Sequence, residues 1–543
     1  MKKLLLVIAL IISANAYSQN RYVVYFTDKN NTPYSLSNPL AYLTQRSIDR
    51  RVKQNIAIDS LDLPVNATYI QGVIATGATV LNISKWLNTA TIQVTDTNML
   101  AAVNALPYIK ITTHVGRPAN SNNLPLNKSK DKFAMESGSA IPYSTPNKTS
   151  SLLSYGYSAH QCQMLNGDAL HDAGFQGDGM MISMMDAGYI NADISPVFDS
   201  LHLQNKIKAT WNFVNSTTDV FTDHWHGAMC FSIIGANSPG VLIGTCPHAD
   251  YLLLETEESP GENVIEEYNW ASGAEFADSM GVDVTTTSLG YTLFDDPTEN
   301  HSYSTLDGNT APMSIAADIA VSRGIIVVNS AGNEGNSSWN YISVPSDAND
   351  ILAIGAVDSA GNYVSFSGNG PTFDGRVKPD VSAQGAGTYF WNPNGYVDSG
   401  GGTSFSGPIV AGLAACLWQK FTNRSALEIM DAIRRSASIY NNPDTLIGYG
   451  IPNFATASTI LAVNEISNNN SFAVYPNPAT DVLNIETSKH LNKFSYEITD
   501  ITGRAIINGK AQQQISVAKL NAGIYFIRIS GDGIYEVEKF VKQ

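Results

Sequence analysis

Apolar and polar positions change rhythm several times along the chain, and each change predicts a different kind of element. After a leading stretch, "RYVVYFTD" reads as a strand and "PLAYLTQRSIDRRVKQN" as a basic helix. A second helical stretch ends near Gly77, and "ATVLNISKWLNTATIQVT" supplies two more strands. Asp96 then caps "TNMLAAVNAL", and "YIKITTHV" closes a β/α mixture over residues 19–116. Residues 117–154 are rich in Asn, Ser, Pro and Lys with almost no periodicity, which predicts a linker. Over 155–463, apolar runs such as "MMISMMD", "ADYLLLE", "VDVTTTSLG", "GIIVVNSAGN" and "ILAIGAV" alternate with helical stretches. That alternation is the mark of a parallel sheet covered on both faces, hence one large α/β domain. A short polar linker, 464–471, precedes residues 472–543, where helices vanish and short strands separated by Asp-x-x-Gly and Asn-x-Gly turns predict a small β-sandwich. No internal repeat of solenoid length is present.

Composition narrows the possibilities. With 543 residues and 43% hydrophobic content the chain is long enough for several domains and is not a disordered protein. Thirty-two Lys+Arg against 48 Asp+Glu give −16, with no block of like charges, so nucleic acid is not an expected partner. Residues 1–18 combine a basic pair, an apolar run from Leu4 to Ile12 and small residues suited to cleavage after Ala16 or Ser18. This is the pattern of an export signal, too short to span a bilayer comfortably. Export permits disulfides, and Cys162, Cys230, Cys246 and Cys416 allow three full pairings or four buried thiols. None has the spacing of a metal site.

Four stretches carry candidate chemistry. Asp186 ends the apolar run "MMISMMD", His226 opens a buried helical stretch in "DHWHGAMC" with His224 as a rival, and Asn333 sits in the turn "SAGNEG". Ser404 stands in "SGGGTSFSGPIVAGLAACL" at the start of a small-residue helix, with Pro408 expected in its first turn. A serine hydroxyl needs a base, and the base needs a carboxylate to hold its tautomer, which Ser404, His226 and Asp186 supply. Asn333 and the Ser404 backbone N–H would receive an oxyanion, helped by the helix N-terminus. Gly227 is expected to leave room for a substrate. In a doubly wound sheet such residues converge at the carboxyl ends of the strands.

The order Asp, His, Asn, Ser and the segments "ISMMDAG", "HGAMC", "TTTSLGY", "SAGNEG" and "GTSFSGPIVAG" resemble the subtilisin-like serine peptidases. Two places depart from that family: Ala228-Met229-Cys230 after the histidine, and Ile409 after the proline. The resemblance implies a doubly wound, mostly parallel α/β fold with a small α+β prodomain and a C-terminal β-sandwich. It also implies an exported endopeptidase acting through an acyl-enzyme on protein or peptide substrates, with no cofactor required for the chemistry. Ser288, Leu289, Gly290, Ala331 and Gly332 would flank the substrate, and Glu334 would lie at the mouth of the S1 pocket and tolerate a basic P1 residue. Residues 19–116 resemble the propeptides of such enzymes. The tail "VYPNPATDVLNIE" through "YEVEKFVKQ" is similar to the sorting domains of type IX secretion, which implies that machinery as a partner and a secreted or surface location. A monomer is expected. A structural calcium site is left open, with Asp295 and Asp296 as candidates or as ordinary loop carboxylates. The rival functions are an inactive surface binding protein on a peptidase fold and an esterase.

Overall fold

The computed structural model describes residues 20–118, 132–136, 151–468, 472–487, 495–501, 503–510, 513–531 and 534–543. The expected export signal and most of the 117–154 linker lie outside these residues. The chain divides into two compact units, one up to Ser458 and one from Thr459.

The first unit opens with an antiparallel sheet in the order Thr79–Ser84, Thr89–Val94, Asn20–Phe26, Ile109–Gly116. Strand side chains alternate between faces, and here both faces are covered. Val24, Phe26, Ile92 and Val94 pack on Ile70, Val73 and Val103 from the domain's own helices, Ala67–Ala75 and Thr97–Asn104. On the opposite face Val23 and Val115 pack on Ile265 and Tyr268 of a helix of the large domain, Ile265–Met280. As the sequence predicts, Asp96 caps the helix Thr97–Asn104 by accepting from the Met99 N–H.

The same long helix takes charge from this domain. Asp278 receives Arg50 at 2.5 Å, Arg51 at 2.9 Å and Lys85 at 3.3 Å, and Arg51 also meets Asp62 at 2.7 Å. Burial pushes the Asp278 carboxyl upward, but Lys85, Arg50 and Arg51 outweigh it and hold the group down at about 2. Glu275 accepts from the Lys85 and Trp86 N–H groups at 2.7 and 3.0 Å.

The large domain is built on seven strands, all paired in parallel. Their order is Val381–Gln384, Leu352–Val357, Ile326–Ser330, Val284–Thr287, Met181–Asp186, Asp250–Glu255, Ile207–Asn212. The strands with unbroken apolar runs are the buried ones. Three strands escape that pattern: Ile207–Asn212 is a partly exposed edge, Val381–Gln384 buries polar Ser382 and Gln384, and Val284–Thr287 buries Thr285, Thr286 and Thr287. Helices cover the sheet, among them Thr403–Lys420, buried from Thr403 through Trp418. Register places Asp186 opposite Glu255 and Thr287 opposite both Met185 and Asn329, so the strand ends that carry the candidate residues lie together.

The second unit contains two antiparallel sheets. One has Phe472–Tyr475, Val482–Thr487 and Gln514–Ser516; the other has Ala505–Lys510, Ser495–Asp500, Gly523–Gly531 and Ile534–Lys542. Leu483 and Ile485 of the first share a core with Ile498, Ile527, Ile529 and Phe540 of the second, which makes it a sandwich. The Asp500-to-Arg504 turn closes with Gly503 at φ 83°, a left-handed conformation that favours glycine. Among the described residues no helix is long and apolar enough to cross a membrane.

Candidate active site

Asp186 is the last residue of a fully buried strand, and His226 is the first of the helix His226–Gly235. Their side chains meet: His226 Nδ1 lies 2.7 Å from Asp186 Oδ1, which also accepts the Ala187 N–H at 2.8 Å. Gly227 makes this approach possible, because a Cβ there would stand 2.4 Å from the Gly188 carbonyl oxygen and 2.9 Å from the Asp186 Cβ. The sequence reading gave that glycine to the substrate; the structure gives it to the packing of helix against strand end. His224 is not the partner of Asp186; its Nδ1 faces the His226 N–H at 3.3 Å. Burial pushes the His226 imidazole down, but the Asp186 charge, with Cys230 adjacent, outweighs it and holds it above its ordinary value.

Ser404 is the second residue of the helix Thr403–Lys420, where backbone N–H groups have no partner inside the helix. Its hydroxyl donates to the Ser288 carbonyl at 3.1 Å, so the serine arm of the expected relay is turned away from the imidazole. Among the described residues His226 Nε2 has no hydrogen-bond partner. Pro408 lies inside the helix, beyond the first turn where the sequence placed it. Lacking an N–H, it cannot bond the carbonyl four residues earlier, which is that of Ser404. That oxygen instead accepts from Ser288 Oγ at 2.9 Å and from Cys230 Sγ at 3.3 Å. Cys230 therefore bridges the two candidates, since its sulfur is also 4.0 Å from His226 Nδ1. All four cysteines are buried and free.

Asn333 follows the strand Ile326–Ser330. Its Oδ1 accepts from the backbone N–H and the hydroxyl of Thr403 at 2.8 and 2.9 Å. Both acceptor sites are thereby spent on Thr403, and Asn333 and Ser404 line the same cleft. Ser288, Leu289 and Gly290 line one wall of this cleft, and Gly332, Asn333 and Glu334 another. Gly332 has φ 100°, and a Cβ there would press on Glu334 Oε2 and Ser343 Oγ. Ala331 is brought near but fully buried, its N–H given to Ile354 and its carbonyl to Ser343. Asp296 caps the short turn Pro297–Glu299, and Asp295 accepts the Glu262 N–H at 3.2 Å.

A short piece of the linker runs through the cleft. The Phe133 ring lies 4.2 Å from that of His224 and 5.1 Å from that of His226, and packs with Ala187 and Leu289. The Glu136 N–H donates to the Gly401 carbonyl at 2.8 Å in an antiparallel bridge. Lys132 meets three carboxylates: Glu257, Glu262 at 2.9 Å and Glu266 at 3.2 Å. Sequence reasoning missed this acidic trio, as it missed the bracing roles of Thr403 and Cys230. The run "GTS" carried a signal for Thr403; nothing local marked the glutamates.

Residues 177–450 match the subtilase family, residues 21–132 the peptidase S8 propeptide domain of Bacteroidota, and residues 473–543 a secretion system C-terminal sorting domain. Subtilisin E of Bacillus subtilis (strain 168) is 32% identical over 295 residues, covering 53% of this chain and 68% of that protein. The chain belongs to the subtilase family. Subtilisin of Bacillus pumilus is 32% identical over 295 residues, 53% of this chain and 94% of that protein. M-protease of Shouchella clausii (strain KSM-K16) is 30% identical over 292 residues, covering 53% and 67%. This subtilase is a serine-type endopeptidase, and its propeptide and sorting domains make it a zymogen destined for the cell surface or the medium.

Proposed function

We propose that this subtilase hydrolyses peptide bonds through an acyl-enzyme on Ser404, with Asp186 and His226 as the orienting acid and the base. The observation that carries the reading is the 2.7 Å bond from Asp186 to His226 Nδ1. It fixes the tautomer in which Nε2 offers a lone pair. The mechanism requires the Ser404 hydroxyl to leave the Ser288 carbonyl for that nitrogen. The serine oxygen then attacks the substrate carbonyl carbon while its proton passes to Nε2. Collapse of the tetrahedral adduct breaks the C–N bond, and the proton leaves on the amine. Water attacks the ester by the same route in reverse, freeing the acid and restoring the hydroxyl. The Asn333 NH₂ and the Ser404 N–H receive the oxyanion, aided by the helix N-terminus.

The protein acts as a monomer on proteins or peptides, needs no cofactor for this chemistry, binds no nucleic acid and leaves the periplasm by type IX secretion. Residues 1–18 act as the export signal and residues 19–116 as the propeptide. Labelling of the matured protein with a fluorophosphonate tests the mechanism: wild type labels, Ser404→Ala does not. Equal labelling of both removes Ser404 from the reaction. Asn333→Ala is expected to lower kcat by roughly 10²- to 10³-fold with little change in KM.

A further inference from the structure

We propose that Glu257, Glu262 and Glu266 form a specificity subsite for a lysine or arginine side chain two residues before the residue whose carbonyl is attacked. Lys132 of this chain is its resident occupant, and Ala134–Met135 is the bond presented. The inference rests on the catalytic reading of Ser404 given above and names what that site selects.

The three carboxylates bring one oxygen each within 4.8 Å of one another, and Glu257 and Glu266 are buried. Like charges so placed repel strongly unless a cation or protons join them. Yet the Glu257 and Glu266 carboxylates are also held by groups other than Lys132. Glu266 accepts the N–H groups of Glu258 and Asn263 at 2.8 and 2.9 Å, Glu257 accepts the Tyr291 hydroxyl, and Asp295 braces the Glu262 backbone. On this proposal those bonds, none of which involves Lys132, keep the pocket's shape when the lysine departs and leave it short of a countercharge.

The rest of the segment lies as a peptide substrate lies. Phe133 rests on the His226 ring, the Met135 sulfur stands over Gly400, and Glu136 pairs with Gly401, three residues before Ser404. Gly401 has no room for a side chain, because a Cβ would meet the Glu136 carbonyl oxygen at 2.5 Å. Three peptide bonds lie between the contact on the imidazole and the bridge to residue 401, and the middle one, Ala134–Met135, is taken as the bond presented to the nucleophile.

The test uses the secreted, matured enzyme and quenched fluorescent peptides of sequence Asp-Lys-Phe-Ala-Met-Glu in which Lys is kept or replaced by Arg, Ala or Glu. Expected is cleavage after Ala, with kcat/KM about 10- to 100-fold higher for Lys or Arg than for Ala, and Glu slowest. Glu262→Gln lowers the Lys/Ala ratio, and Glu262→Lys shifts preference toward the Glu peptide. In the full chain, Lys132→Glu slows appearance of a mature N-terminus at Met135, read by mass spectrometry. A wild-type Lys/Ala ratio near one, a ratio unchanged in both Glu262 variants, or a ratio lost in EDTA overturns the subsite. Uniform cleavage of all four peptides by an enzyme that Ser404→Ala silences sinks only this inference; activity surviving Ser404→Ala sinks the mechanism beneath it.

Discussion

Near the C-terminal end of the helix Ile265–Met280, Asp278 meets Arg50, Arg51 and Lys85. Near its N-terminal end, Glu266 shares one cation, Lys132, with Glu257 and Glu262. At the first place cations outnumber the helix carboxylate, and Asp62 offsets part of the excess. At the second the anions are in excess. The consequence shows in the acidities: the Asp278 carboxyl is held at about 2, whereas burial and neighbouring acids raise Glu262 to about 8 against the pull of Lys132. Burial acts in the same direction at both sites, so the count of countercharges decides the sign. The first is built as a clamp between propeptide domain and catalytic domain. The second is built to take a cation and give it up.

The sharpest way to probe this contrast is to stop the reaction. Ser404→Ala is expected to lower turnover by roughly a million-fold. The full-length chain then persists uncut, seen as a single species by mass spectrometry, with both clusters occupied. On that background Asp278→Ala leaves Arg50, Arg51 and Lys85 without their shared partner. The expected loss is about 3–5 kcal/mol of stability by denaturant unfolding; a loss below 1 kcal/mol would break the distinction between clamp and subsite.

The two clusters should also separate on a pH axis. Asp278 ionises below its ordinary 3.8, so its contribution is complete above that value and is lost as pH falls through about 2. Glu262 ionises above its ordinary 4.5, so its contribution is complete below that value and is lost as pH rises through about 8. The charged groups that move Glu262 are Lys132, Glu257 and Asp295. Melting temperature of the uncut chain should therefore fall on both sides, and Glu262→Gln should flatten the alkaline side alone. The smallest effect is on stability near neutrality, where Glu262→Gln changes unfolding free energy by about 1 kcal/mol or less, because Lys132 keeps two other partners.

Much of the architecture is legible in order of residues. Met181–Asp186, Asp250–Glu255, Ile326–Ser330 and Leu352–Val357 announce themselves as apolar runs because both faces of their sheet are covered. The edge strand Ile207–Asn212 does not, since a half-exposed strand has no need of such a run. Asp186, His226, Asn333 and Ser404 are found from local context, each at a strand end or helix start where short-range chemistry is distinctive.

What local sequence determined is therefore the set of elements and the kind of side chain at each functional terminus, because turns, caps and burial patterns act over a few residues. What tertiary structure alone decided is which groups share a charge or a hydrogen bond. Ser288 and Ser404 exchange hydrogen bonds across 116 positions, Cys230 reaches the Ser404 carbonyl across 174, and Lys132 meets Glu266 across 134. Electrostatic and hydrogen-bond energies depend on distance in space and on exclusion of water, and neither quantity exists until the sheet and its helices have closed.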